Sequence, residues 1–159
     1  MSLLAAITGV TNACEIHRSL VTGGQPVAGH LQALKNAGGS IILDIRDPME
    51  PRPIDEPAVA ADLGMEYVNI PVSSASLNDD TMERILGVLR ESNGRGVFFH
   101  CASGNRVGGA LIPYLMLDQE MDEEAAIENA LRVGLRSPEM LEWGLEYARR
   151  ARDNNDSEG

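Results

Sequence analysis

Cys101 and Arg106, with His100 before them and Ala102, Ser103, Gly104 and Asn105 between, are the residues whose types and spacing can do chemistry. Val97, Phe98 and Phe99 read as a short buried strand, and Arg106 to Leu117 as a mostly apolar helix, so the residues between must turn. Cys101 therefore stands at a strand end facing a helix start. The thiolate is the nucleophilic form of cysteine, and free helix N–H groups, the macrodipole and a neighbouring guanidinium all favour an anion there. The same N–H groups, from Ala102 to Arg106, point into a concavity of the kind that binds phosphate, sulfate and other oxyanions. Gly104 permits a positive φ and close approach of a ligand, while Arg106 can hold two oxyanion oxygens through its fork. A cysteine after an apolar strand is most often a small buried hydrophobe. His100, Gly104 and Arg106 at these spacings favour a reactive thiol instead. Side chains alternate along a strand, so His100 is expected to point away from Cys101 and support the loop by a hydrogen bond.

The rest of the chain limits what such a loop can bind. Its 159 residues, 43% hydrophobic and 23% charged, suit one globular domain, and no apolar run approaches the ~20 residues of a membrane span. The formal charge of −11 argues against nucleic acid or an acidic membrane as partner, leaving a small anion held by N–H groups and one or two arginines. His17, His30, His100, Cys14 and Cys101 show no metal-ligand spacing, and no cofactor is expected. Met1 to Ala13 is apolar but lacks a basic leader region, the first Arg being Arg18, so it is expected to belong to the domain and the protein to be cytoplasmic. Cys14 is most simply a buried filler; pairing with or resolving Cys101 is the alternative.

Several elements must position the loop. Glu15 to Val21 reads as a weak strand ended by Thr22-Gly23-Gly24-Gln25-Pro26, and Val27 to Ala37 as a helix closed by Gly38-Gly39. Ser40 to Ile45 is a continuous apolar run, the pattern of a central strand covered on both sides. Arg46 to Pro57, with prolines at 48, 51, 53 and 57, reads as an exposed loop. A helix over Ala58 to Leu63, a strand over Glu66 to Ile70 and a helix capped by Asp79 or Asp80 follow. Asp122 to Val133 and Ser137 to Arg152 read as the last helices, with 153–159 a disordered acidic tail after a single domain over 1–152. Strands alternating with helices imply an α/β fold with a mainly parallel central sheet and helices on both faces. Ligands in such sheets bind beyond the carboxyl ends of strands, where Arg46 and Ser73 should join the Cys101 loop.

His100-Cys101-Ala102-Ser103-Gly104-Asn105-Arg106 resembles the signature of the Cys-dependent protein phosphatase superfamily, and more closely the phosphatase-like domain of the beta-lactamase-hydrolase-like family. The similarity extends over Gly24-Gln25-Pro26, Ile41 to Arg46, Gly64 to Val72 and Glu124 to Leu135. It implies a dual-specificity-phosphatase-like fold, with Cys101 as nucleophile and Arg106 as phosphoryl ligand. Two features depart from that signature. Four residues separate Cys101 from Arg106 where phosphatases have five, and four is the spacing of the rhodanese sulfurtransferase loop, which Leu43 to Pro48 also resembles. The loop where phosphatases carry their general-acid Asp begins Ser73-Ser74-Ala75-Ser76, leaving Asp79 and Asp80 as displaced candidates. Sulfane-sulfur transfer from thiosulfate or a persulfide needs no such acid and is slightly preferred. Phosphate monoester hydrolysis through a Cys101 thiophosphate is the alternative, and a non-catalytic anion-binding module is the reading from another class.

Overall fold

A computed structural model of the chain describes the backbone of residues 1–158 and the side chains of 1–155. Five strands form one sheet in the order β1-β2-β5-β3-β4. The strand expected over Glu15 to Val21 is a hairpin: β1 (Cys14–His17) and β2 (Leu20–Gly23) pair antiparallel. The chain reverses after His17, whose ring Nδ1 accepts the Ser19 N–H at 3.2 Å and closes the turn. β3 (Gly39–Asp44), β4 (Glu66–Asn69) and β5 (Gly96–His100) are parallel to β2, so the carboxyl ends of four strands share one edge.

Period-two alternation divides the core. Val21, Ile42 and Phe98 face α1 (Leu3–Ala6), α2 (Ala28–Asn36) and α3 (Glu56–Asp62). Ile41, Leu43, Val97 and Phe99 face α4 (Asp79–Glu91), α5 (Asn105–Leu117), α6 (Glu123–Val133) and α7 (Pro138–Glu158). Helices on both faces of a mostly parallel sheet are the architecture that the alternating elements imply. Each large apolar side chain so buried contributes about 1.5–3 kcal/mol.

The helix after the Cys101 loop is enclosed on every side. Val107 through Met116 are all buried, which accounts for a helix that is apolar all round. Pro113 lacks the N–H that would bond the carbonyl of Gly109, and α7 packs against that spot through Gly144. A Cβ on Gly144 would lie 2.3 Å from the Gly109 oxygen, so only glycine permits this approach.

Three boundaries differ from expectation. The cap of α4 is Asn78, whose side chain accepts the Thr81 N–H at 2.9 Å, and not Asp79 or Asp80. The stretch Arg46 to Pro57 is not a solvated loop: Arg46 is buried, and Glu56, which opens α3, is fully buried. The tail expected from 153 onward is helical to Glu158, and Gly159 lies outside the described residues.

Two glycine substitutions should act in opposite directions. Gly144→Ala forces α5 and α7 apart and should cost about 1–3 kcal/mol or more in urea unfolding. Gly87→Ala in α4, where a Cβ meets nothing within 4 Å, should add about 0.5–1 kcal/mol by removing unfolded-state freedom.

Candidate active site

The loop from Cys101 to Arg106 crosses the carboxyl end of β5 between the ends of β2 and β3. Neighbours hold it by its carbonyls: Gln25 N–H donates to Ala102 O at 3.0 Å, Asn12 Nδ2 to Ser103 O at 2.7 Å, and Ile45 N–H to His100 O at 3.1 Å. With the carbonyls turned outward, the N–H groups turn inward. Gly104 N–H donates to Cys101 Sγ at 3.1 Å. Among the described residues no protein acceptor takes the N–H groups of Ala102, Ser103, Asn105 or Arg106. Gly104 is the N-cap of α5 at φ +101°, and a Cβ there would lie 2.2 Å from Val133 O, so this corner admits only glycine. Cys101 is itself buried, with its sulfur against the Gly104 N–H.

Arg106 closes the ring. Its Nη1 and Nη2 donate to the Glu50 carboxylate at 2.7 and 3.0 Å. Its acidity is weakened first by those hydrogen bonds, against the cost of burial, and further by the charge of the Cys101 sulfur. Glu50 is shared, because Arg46 Nε donates to it at 3.2 Å and Asp47 N–H at 2.7 Å. The Arg106 hydrogen bond is the largest reason that Glu50 is held down at about 2. Arg46 also donates to Gln25 Oε1 at 2.7 Å and Pro51 O at 3.1 Å, so it organises the loop and reaches the site through Glu50.

Beneath the loop lies a second polar cluster, in which Asp44, Glu56 and His100 are fully buried. Alternation turns His100 away from Cys101 and onto the Phe98 face, where the two rings stack at 5.1 Å. His100 Nδ1 lies 3.1 Å from Cys101 O and Nε2 lies 2.6 Å from Glu56 Oε2. A carbonyl can only accept, so Nδ1 donates, and the Nε2 contact needs a second proton between ring and carboxylate. Glu56 also accepts from Gln25 Nε2 and Arg52 Nη1, while Asp44 accepts from Arg52 and from the Tyr67 hydroxyl. Burial, then the bond to Asp44, pushes the Tyr67 phenol up, so it remains a donor. Asp44, Glu56 and His100 place one ligand atom each within 4.8 Å of one another, a metal-like spacing, but the Arg52 guanidinium already lies against both carboxylates and supplies the positive charge.

The structure thus brings together Cys101, Arg106, the loop N–H groups, His100 and Arg46. The Asn105 side chain serves the framework, its Oδ1 accepting the N–H groups of Arg136 and Ser137 at 2.7 and 3.0 Å. Ser73 is exposed and precedes a short 3-10 turn, its N–H on Ser76 Oγ. Asp79 is paired with Arg150 at 2.7 Å and Asp80 is exposed on α4. Cys14 lies on β1 opposite Thr22, with β2 between it and β5, and its sulfur accepts from Arg132 at 2.6 Å. Glu50, Glu56, Asp44 and Gln25 are the site residues that sequence reasoning missed as such. Asp44 at the end of an apolar run, and Glu at i+4 from both Arg46 and Arg52, are the signals that could have revealed three of them.

No protein-family model matches the chain. The beta-lactamase hydrolase-like protein of Agrobacterium fabrum is 30% identical over 98 residues, covering 59% of this chain and 22% of that protein. The chain therefore spans about a fifth of the length of this curated relative. A protein of Shewanella putrefaciens assigned to the DUF442 phosphatases superposes with a TM-score of 0.77 at 19% identity, over 92% of this chain and 97% of that one. The fold is that of the protein tyrosine and dual-specificity phosphatases. The core catalytic domain of a PP-IP phosphatase of S. cerevisiae, in complex with citrate, shares it at a TM-score of 0.72 and 16% identity, over 94% and 96% of the two chains. These neighbours show a phosphatase-like fold and lend no support to the rhodanese comparison drawn from the loop spacing.

Two measurements test this network. A carboxylate whose folded-state pKa is depressed stabilises the fold above its unfolded value of about 4.5, and that contribution disappears as pH falls toward about 2. Glu50→Gln should therefore lower stability at neutral pH and flatten the acid limb of the stability curve over that window. Glu56→Ala leaves His100, Arg52 and Gln25 facing an empty buried site and should cost about 3–5 kcal/mol in denaturant unfolding.

Proposed function

We propose that this domain hydrolyses phosphate monoesters through a covalent Cys101 thiophosphate. The observation that carries the reading is the set of loop N–H groups that have no protein acceptor among the described residues, around a Cys101 sulfur that accepts from Gly104 N–H, with Arg106 at the end of the loop, on a phosphatase-like fold. The Cys101 thiolate attacks phosphorus and an S–P bond forms as the ester P–O bond breaks. Electron density moves onto the leaving oxygen. The N–H groups of Ala102, Ser103, Asn105 and Arg106 and the Arg106 guanidinium bind the non-bridging oxygens as charge develops on them. Water then attacks the thiophosphate, releasing phosphate and regenerating the thiolate. His100 keeps its place under the loop, holding the Cys101 carbonyl by a hydrogen bond.

The weak point of this cycle is the proton for the leaving oxygen. Ser73, Ser74 and Ser76 offer no carboxylic acid, Asp79 is tied to Arg150, and Glu50 is an ionised partner of two arginines. A missing general acid forfeits about 10²- to 10⁴-fold, or about 3–5 kcal/mol of barrier, for a poor leaving group. Phosphates of acidic phenols, whose phenolates leave with the least assistance, are the substrates this site handles best.

Sulfane-sulfur transfer is the second reading, favoured by the four-residue spacing from Cys101 to Arg106 and by chemistry that requires no acid. Thiolate attack on the outer sulfur of thiosulfate would form a Cys101 persulfide and release sulfite. The structural neighbours support the phosphatase reading over it.

Turnover of a nitrophenyl phosphate by the full chain is the deciding measurement. Activity should vanish in Cys101→Ser and fall about 10²- to 10³-fold or more in Arg106→Ala. Across substituted phenyl phosphates the rate should rise steeply as the phenol becomes more acidic. Failure to turn over any aryl phosphate, together with one sulfur added to Cys101 by thiosulfate, would select the transfer reading; failure of both would leave an anion-binding module.

A further inference from the structure

One peptide unit of the Cys101 loop is held at both ends. Its N–H, that of Gly104, donates to Cys101 Sγ at 3.1 Å, and its C=O, that of Ser103, accepts from Asn12 Nδ2 at 2.7 Å. A trans peptide points its C=O and N–H in opposite directions within one plane, so a donor that fixes the carbonyl also fixes the line along which the N–H points. Among the described residues no other donor takes the Ser103 carbonyl. Asn12 lies 91 residues earlier in the chain, with its backbone in the left-handed region at φ +56°, a conformation that Asn tolerates better than most residues other than Gly. Its segment is pinned just after β2, where Gly24 N–H donates to Thr11 O at 2.9 Å. From the other side the turn after α6 closes on the same group: a Cβ on Gly134 would lie 2.9 Å from Ser103 O and 3.0 Å from Asn12 Nδ2. The Asn12 amide is thus seated against the carbonyl by two backbone segments, although the residue is exposed.

We propose that Asn12 is a positioning residue for Cys101, acting through the single peptide between Ser103 and Gly104. This rests on the reading of Cys101 as the nucleophile and deepens it. A thiolate accepts a hydrogen bond more strongly than a thiol does, so an N–H aimed at the sulfur favours the reactive form. Gly104 admits either hand of φ, and its own backbone does little to fix that aim. The restraint comes from outside the loop, at the Ser103 oxygen. There the Asn12 amide acts twice: it turns the carbonyl away from the sulfur, and by drawing charge onto the carbonyl oxygen it leaves the Gly104 N–H a stronger donor, as neighbouring links in a chain of hydrogen bonds do. Asn12 touches neither the sulfur nor an anion in the cradle, so its effect reaches the chemistry through one peptide only.

Alkylation of Cys101 by iodoacetamide, located by peptide mass and followed against pH in the full chain, tests this without requiring turnover. Asn12→Gly accepts the left-handed backbone and removes the donor, while Asn12→Asp keeps the shape and sets an anionic acceptor against the Ser103 carbonyl. The pH at which the rate is half-maximal should rise in both. Below the midpoints, alkylation should be about three- to tenfold slower than wild type in Asn12→Gly and slower still in Asn12→Asp. Wild-type and variant rates should meet at high pH, where every Cys101 sulfur is ionised. A purely structural role would lower the urea midpoint and leave the pH profile in place, so an unmoved profile in both variants overturns the proposal and leaves the phosphatase reading standing. Absence of aryl phosphate turnover in the wild type, with the profile still displaced in the variants, would defeat the phosphatase reading and leave the role of Asn12 intact. A wild-type Cys101 that no pH renders reactive would overturn both.

Discussion

A wholly buried carboxylate, Glu56, holds this site together. It accepts from His100 under the Cys101 loop, from Gln25 in the turn after β2, and from Arg52 in the stretch after β3. A buried charge is costly unless every donor arrives in place, so these three segments are ordered together or not at all. Once they are, Gln25 N–H fixes the Ala102 carbonyl, Gln25 Oε1 fixes Arg46, and Arg46 fixes Glu50 against Arg106. The Arg106 guanidinium is thus positioned from below, by a network that ends on the fully buried Glu56.

The direction in which each loop peptide points follows from the same restraints. Carbonyls of Ala102 and Ser103 are taken by Gln25 and Asn12, and the left-handed Gly104 reverses the chain into α5. The N–H groups then have only the concavity to face. Shortening a five-residue connection to four removes one donor, but the geometry that makes the remaining donors converge lies in the outward carbonyls and in the glycine. Loop length and fold therefore carry different information: the spacing, with the absent general acid, suggested sulfur transfer, whereas the order of strands and helices, which superposes over nearly the whole chain, follows the phosphatase fold.

Elements built on local periodicity could be read from the sequence. β3, β5 and α5 have apolar patterns that admit one assignment, and the alternation of Phe98, Phe99 and His100 already placed the imidazole on the face away from Cys101. What escaped detection was long-range pairing of charge. Arg46, Glu50, Arg52 and Glu56 sit among four prolines, a composition that reads as a solvated loop, and the buried partners that reverse this meaning are 44 and 56 residues away in sequence. The Asn78 cap was missed for a simpler reason: Asn, Asp79 and Asp80 are adjacent residues of similar capping strength, and only backbone geometry selects among them.

In the proposed phosphatase cycle, Glu50 imposes two opposed demands. Orienting Arg106 would lower the entropic cost of binding a phosphoryl group, since the guanidinium is held by Glu50 before the ligand arrives. The negative charge that does so weakens the field that attracts the anion, and its firm ionisation keeps it from acting as a proton donor. Ground-state affinity is therefore expected to be modest, while donors fixed in advance still act on the charge that develops in the transition state. A site built this way gains rate from preorganisation and leaves selectivity to the leaving group, which must depart without a proton from the protein.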